Sequence, residues 1–343
     1  MRLLIYTQKV DKNDPVLGFF HQWIEEFAEH LDALEVVCLE KGEYTLPGNA
    51  RVTSLGREEG KGRMTYVWRF YKHLFGGRSA YDAVFVHMNA EYVLLGGIFW
   101  HLWGKSVGLW YTHKKVSWKL RVAHMLTDIV FTASEESFRM PSKKLSVMGH
   151  GIDFSHFQPA SRSNDENGKK TVTLISAGRI SEIKRTDLLI EVARVLRERG
   201  VSYSLSLAGV PISGLDRVYQ DELQRRIHEW KLEERVHFVG AKTYQEMPAF
   251  YRSGDIFLHA SETGSLDKVV LEALACGLPV LTTSDAYPFL PEKYRVAGDA
   301  ESIADRIMEI RGSSVSDEVR EEIRTRHDVE ALITRIQEAY KKS

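Results

Sequence analysis

The chain has 343 residues, room for about two domains at roughly 150 residues each. Its 43% hydrophobic and 27% charged residues, with 25 glycines and 9 prolines, are a globular composition, which excludes disordered, collagen-like and disulfide-scaffold classes. Forty-six basic against 47 acidic residues leave a formal charge of −1, so no global field draws nucleic acid and any anion site is local.

Met1 is followed at once by Arg2-Leu3-Leu4-Ile5-Tyr6-Thr7, which reads as a first strand rather than as a secretion signal. Further short β-branched or aromatic runs follow at Glu35–Leu39, Ala83–His87, Val107–Thr112, Asp128–Ala133 and Leu145–Met148. Cys38 and Cys276 have neither metal-ligand nor C-x-x-C spacing and read as reduced, small hydrophobes of a cytoplasmic protein. Between Arg57 and Arg121 stand eleven Lys or Arg against four acids, a local +7. Within it Met64 to Phe75 mixes aromatic and basic residues. That segment reads either as a core helix with snorkelling cations or as an interfacial helix drawn to a membrane surface or a lipid-phosphate acceptor. Tyr92 to Trp103, the most apolar stretch, is too short to span a bilayer, so no transmembrane anchor is expected. The expected location is cytoplasmic, with peripheral contact at the inner face of the membrane as a second expectation.

The second half repeats the alternation, with strands at Thr171–Ala177, Tyr203–Ala208, Arg235–Val239, Asp255–His259 and Pro279–Thr283. Gln158 to Lys170 is polar, without hydrophobic period, and reads as a linker. The expectation is therefore α/β: two facing, Rossmann-like, doubly wound domains at 1–157 and 171–327 with a cleft between them, the last helix, 328–341, returning to the first. G-x-G-x-x-G, Walker-type, H-E-x-x-H, G-x-S-x-G and D-x-D motifs are all missing.

Two stretches carry chemistry. Gly178-Arg179-Ile180-Ser181-Glu182-Ile183-Lys184-Arg185 lies between a strand and the helix Thr186–Arg199, so Arg179 and Lys184 either converge on one polyanion or are solvated loop charges. Ser261 to Val280 reads as a small-residue loop, a helix from about Asp267, Gly277 at its C-terminal end and Pro279 before the next strand. Thr263, Gly264 and Ser265 are small and leave helix-start amides open to a phosphate. Glu272, among Leu271, Ala273, Leu274 and Ala275, reads as a partly buried carboxylate that needs a partner, or as a surface glutamate.

Gly178-Arg179…Lys184, His237-Phe238-Val239-Gly240, Tyr251…Asp255-Ile256-Phe257, LEALACGLPV and His150-Gly151-Ile152-Asp153…Phe157…Pro159 together resemble the retaining glycosyltransferases of family 4, which have the GT-B architecture. The likeness spans most of the chain, is dense over 145–283 and loose before residue 100. It implies a nucleotide-diphosphate sugar donor and a glycan, lipid-linked or small-molecule acceptor. It implies no nucleic-acid partner, and no cofactor beyond that co-substrate. Arg179 and Lys184 match the cations on the donor diphosphate, Glu272 the ribose-holding glutamate and His113 the histidine near the donor sugar, unless His113 is simply a satisfied strand-end histidine. Gly178, Gly240, Gly264, Ser265, Leu266 and Gly18 are the remaining implied donor contacts. The departure is at Gly264, where the family has its first glutamate; Glu262 and Asp267 are the nearby carboxylates that can substitute, and Glu262 and Lys114 are acceptor-side candidates. Without D-x-D, a metal-independent, front-face transfer with net retention is what the resemblance implies. A nucleotide-sugar 2-epimerase and a non-catalytic binding subunit of the same fold are the alternatives.

Overall fold

A computed structural model describes residues 1–159 and 171–342 and divides into two compact units, Met1–Asp153 with Arg326–Ser343, and Phe154–Thr325. The first boundary, expected after Phe157, falls after Asp153, and residues 160–170 of the expected linker lie outside the described residues.

The first unit alternates strands and helices: β1 (Arg2–Val10), α1 (Gly18–His30), β2 (Ala33–Lys41), β3 (Ala50–Ser54), α2 (Arg63–Gly76), β4 (Ala83–His87), α3 (Ala90–Leu102), β5 (Ser106–Trp110), α4 (Trp118–Met125), β6 (Ile129–Thr132) and β7 (Leu145–Val147). The sheet is parallel throughout, in the order β3-β2-β1-β4-β5-β6-β7. Along β1 the side chains alternate between two cores. Leu3 and Ile5 join Phe20, Trp23 and Phe27 of α1, whereas Leu4 and Tyr6 join Phe70 of α2, Trp100 of α3 and Leu120 of α4. A sheet covered on both faces needs apolar residues at every position of its central strands, which is why these strands read as continuous apolar runs. The strand β3, ARVTS, has no fully buried residue and sits on the sheet edge, so no such run announced it.

The second unit holds β8 (Val172–Ala177), α5 (Thr186–Glu198), β9 (Tyr203–Ala208), α6 (Gly214–Glu229), β10 (Val236–Gly240), α7 (Met247–Arg252), β11 (Ile256–His259), α8 (Lys268–Ala275), β12 (Val280–Thr282) and α9 (Ala300–Ile310), followed by α10 (Asp317–His327). Its parallel sheet runs β10-β9-β8-β11-β12. In both sheets the chain winds outward in one direction and then the other from a central strand, and right-handed crossovers then place helices on both faces. The class is α/β with two Rossmann-like doubly wound units.

The last helix, α11 (Val329–Lys342), belongs to the first unit. Its Leu332, Ile333 and Ile336 enter the core beside α1, and the Tyr340 hydroxyl donates to the Val84 carbonyl at 2.7 Å. At its start the buried His327 accepts the His150 backbone N–H on Nδ1 at 3.2 Å. Burial, helped by Arg326 and Arg335, lowers the His327 pKa to about 4. The unfolded chain then binds a proton that the folded chain refuses between about pH 6.5 and 4, so stability falls as pH falls through that window, by on the order of 3 kcal/mol when complete. Urea midpoints measured at pH 7 and pH 4.5 are expected to converge in His327→Gln relative to the parent; an equal drop in both proteins contradicts this assignment.

No helix of the described residues is long and apolar enough to cross a membrane.

Candidate functional site

In the second unit the winding direction reverses between β8 and β11, and open α/β sheets bind ligands outside the carboxyl ends of the strands at such a point. The two stretches singled out in the sequence leave the sheet on either side of it. After β8 the chain turns at Gly178, whose N–H donates to Ala208 O at 3.0 Å; Ile180 N–H donates to Val210 O at 3.2 Å, and Gly209 N–H to Gly240 O at 2.8 Å. These bonds lace the three strand ends together closely. A Cβ on Gly209, at φ +139°, would lie 1.9 Å from the Gly178 carbonyl oxygen, so only glycine fits there. The laced loop carries Arg179, whose Nε donates to Ser181 Oγ at 3.3 Å, and then Lys184 at the end of a 3₁₀ turn. Gly178, Arg179, Lys184, Thr186, His259 and Ser261 line one small cavity at this edge.

After β11 the loop leads to Asp267, the residue before α8. Asp267 occupies the N-cap position, but its side chain makes no cap bond. Its Oδ2 accepts instead from Lys184 Nζ at 2.6 Å and from His259 Nε2 at 2.9 Å. His259 Nδ1 in turn meets Thr282 Oγ1 at 2.9 Å, so an ionised Asp267 places the ring proton on Nε2 and leaves Nδ1 to accept from the threonine. The Asp267 backbone is clamped as well: its N–H donates to the Tyr287 hydroxyl at 2.7 Å, and that hydroxyl donates to the Asp267 carbonyl at 3.1 Å. Burial opposes ionisation of Asp267, but the His259 hydrogen bond and the Lys184 charge outweigh it and hold the carboxyl well below its usual range.

The other expected carboxylates are engaged elsewhere. Glu262 is exposed and pairs with Arg185 Nη1 at 2.5 Å. Glu272 is buried inside α8, accepts from the Tyr251 hydroxyl at 2.8 Å on Oε2, and has the buried Lys268 ammonium one turn earlier on the same helix. Burial raises the Glu272 carboxyl and lowers the Lys268 ammonium. Of the expected helix-start amides, that of Asp267 is taken by Tyr287. Gly264 stands at φ +60°, a left-handed backbone that disfavours any other side chain, so the residue at the family's glutamate position differs in conformation as well as in chemistry. Ser265 is half-buried, Leu266 is buried, and the Gly240 carbonyl is taken by Gly209.

In the first unit the winding reverses between β1 and β4. Gly18 opens α1 there, and its N–H donates to Asp14 O at 2.9 Å, a use the sequence reading did not foresee for an implied phosphate contact. The Asp14 carboxylate accepts from the Val16 and Leu17 amides and pairs with Lys9 at 2.9 Å. His113, after β5, is exposed and packs edge-on against Tyr111, with ring centroids 5.7 Å apart; Lys114 beside it is half-buried near Arg139. The sequence reading missed His87, Met88 and Asn89. His87 meets Thr7 Oγ1 through Nδ1 at 3.1 Å and stacks on Phe20 at 3.8 Å; Met88 sits at φ +63°; Asn89 accepts from the Glu91 amide and so caps α3. It also missed His259. One signal was available: each strand that follows a winding reversal, AVFVH and IFLH, is apolar until a terminal histidine.

Residues 157–310 match the family model described as glycosyl transferases group 1, less than half of the chain. Mannosylfructose-phosphate synthase of Agrobacterium fabrum (strain C58) is 27% identical over 155 residues, 43% of this chain and 34% of that protein. D-inositol 3-phosphate glycosyltransferase of Salinispora tropica is 30% identical over 157 residues, 41% of this chain and 32% of that protein. The chain spans about a third to a half of the length of the curated relatives it matches. Among solved structures, Anabaena Alr3699/HepE in complex with UDP and glucose aligns over 100% of both chains with a TM-score of 0.76 at 18% identity. Sucrose-phosphate synthase from Thermosynechococcus elongatus covers 99% of this chain and 98% of its own, with a TM-score of 0.72 at 15% identity. At these identities the structural likeness establishes the fold, which is the α/β GT-B fold.

Proposed function

We propose that the protein is a glycosyltransferase that moves a sugar from a nucleotide-diphosphate donor to a carbohydrate, lipid-linked or small-molecule acceptor, with net retention and without a divalent metal. The observation that carries this reading is the placement of Arg179 and Lys184 on one strand-end loop at the winding reversal of the unit that matches the group 1 model. The relatives named as synthases and glycosyltransferases support the reaction class, and the Anabaena protein bound to UDP and glucose supports a nucleoside diphosphate as the donor's common part.

The chemistry follows from charge. Breaking the bond between the sugar and the diphosphate leaves negative charge on the leaving oxygen, and fixed cations that already point there stabilise it without reorganisation. Arg179 and Lys184 serve that purpose here, Lys184 being oriented by Asp267. The metal-independent reading rests on the sequence, which lacks a D-x-D motif.

The test begins with a thermal-shift screen of nucleoside diphosphates, UDP among the first, since a ligand at 100 times its Kd adds about 2.7 kcal/mol to stability. Product analysis with the matching nucleotide sugar then separates the reactions. A glycoside of retained configuration supports the proposal, whereas an epimerised donor, or binding without turnover, overturns it. Turnover is expected to survive exhaustive EDTA treatment; complete loss that Mn²⁺ or Mg²⁺ restores contradicts stabilisation by fixed cations alone.

A further inference from the structure

The helices α2, α3 and α4 lie side by side over one face of the seven-stranded sheet, with Phe70, Leu74, Val93, Trp100, Leu120 and Ala123 filling the core beneath them. Phe75 of α2 packs edge-on against Phe99 of α3 and Trp103 just after it, at 5.0 and 5.7 Å, and Leu126 after α4 closes on Gly97 of α3. The middle helix reads AEYVLLGGIFWHL and is apolar on almost every side, a pattern expected of a helix covered all round. Its outer side is left open. Ile98 and Leu102 are 57% and 75% exposed, and on the adjoining helices so are Trp68 of α2 at 61% and Trp118 and Met125 of α4 at 67% and 75%. Single exposed apolar residues need no explanation, but several on three adjoining helices mark an interaction surface.

Its charge selects the partner. From Arg63 to Met125 there are nine Lys or Arg and two acids, in a chain of net −1. Both acids are already paired, Asp82 with Arg2 and Glu91 with Lys119. Arg63, Lys72, Arg78 and Arg121 are exposed, and Lys72 Nζ lies 5.2 Å over the Trp68 ring. We propose that this surface lies on an anionic lipid bilayer, with Trp68, Ile98, Leu102, Trp118 and Met125 entering the headgroup boundary and the surrounding cations resting on the anionic headgroups. A second copy of the chain is the weaker fit, because pairing this face with itself brings two segments of +7 together, whereas an anionic leaflet meets it with opposite charge. None of these residues belongs to the proposed donor site, so binding to a bilayer and sugar transfer can fail separately.

The experiment is flotation of the full chain with vesicles of phosphatidylcholine alone and of phosphatidylcholine mixed with phosphatidylglycerol. Binding is expected to the mixed vesicles only, and to fall when salt shortens the Debye length from about 10 Å at 0.1 M to about 3 Å at 1 M. Lys72→Glu and Arg121→Glu are each expected to weaken partitioning roughly fivefold or more, the equivalent of about 1 kcal/mol per basic residue. Trp68→Ser with Trp118→Ser is expected to reduce binding at low salt with thermal stability unchanged, since both rings are exposed. Should those variants be destabilised, quenching of the parent chain's tryptophan fluorescence by brominated lipid reads insertion directly. Equal binding to both vesicle types, no binding to either, or a dimer in solution that Leu102→Glu dissociates each overturns the proposal.

Discussion

Arg179→Ala and Lys184→Ala are each expected to lower kcat/KM for the nucleotide-sugar donor about 30- to 1,000-fold, corresponding to about 2–4 kcal/mol of transition-state stabilisation. The two are expected to differ in what else they do. Arg179 is held by a long hydrogen bond to Ser181 and by the glycine-laced strand ends, so its truncation removes a charge and leaves the fold as it was. Lys184 is the partner of Asp267, and removing it leaves a mostly buried carboxylate with one donor fewer, at a further cost of about 1–3 kcal/mol in unfolding free energy. Steady-state kinetics and urea unfolding of the two variants together check this. If both retain near-normal kcat/KM, the diphosphate assignment is wrong; if both lose the same stability, the account of the Lys184 pair is wrong.

Most of the strand and helix order was legible because a parallel sheet buried on both faces forces unbroken apolar runs, as in LLIY of β1 and AVFVH of β4. The edge strand β3 was not, since an edge needs no such run. The site was legible in part. Arg179 and Lys184 were readable from their spacing on a strand-end loop, but their surroundings were set by tertiary structure: His259 lies 75 residues from Lys184 and reaches it only through Asp267. The same holds for Glu262. Its nearness in sequence to the missing glutamate made it a candidate, yet the left-handed Arg185 turns a guanidinium toward it and the pair sits at the surface. Glu262→Gln is accordingly expected to be silent within about 0.5 kcal/mol, the usual range for an exposed pair. Backbone conformation was also hidden: Gly264 looked like a lost side chain, and is a residue at φ +60°.

Asp267→Asn is expected to cost the most of any isosteric change, lowering kcat at least about 100-fold with a loss of about 1–3 kcal/mol in stability. One oxygen, Oδ2, takes both the Lys184 ammonium and the His259 N–H, and an amide oxygen in its place carries no charge with which to hold the ammonium. The helix itself should stay in place, because α8 is not capped by the Asp267 side chain and its first turn is anchored through the backbone by Tyr287. What is lost is the orientation of Lys184. The sign of the pH dependence follows from the same contacts: with its pKa depressed, Asp267 contributes its full stabilisation above about pH 4 and loses it only as pH falls through the lowered value, so no acid limb near pH 5 is expected from this group. A positioning role and a direct sugar-binding role separate in a double-mutant cycle. If Asp267 acts through Lys184, Asp267→Asn combined with Lys184→Ala costs no more than the larger single change; if Asp267 holds the sugar itself, the two losses add. Wild-type turnover and stability in Asp267→Asn contradict both roles.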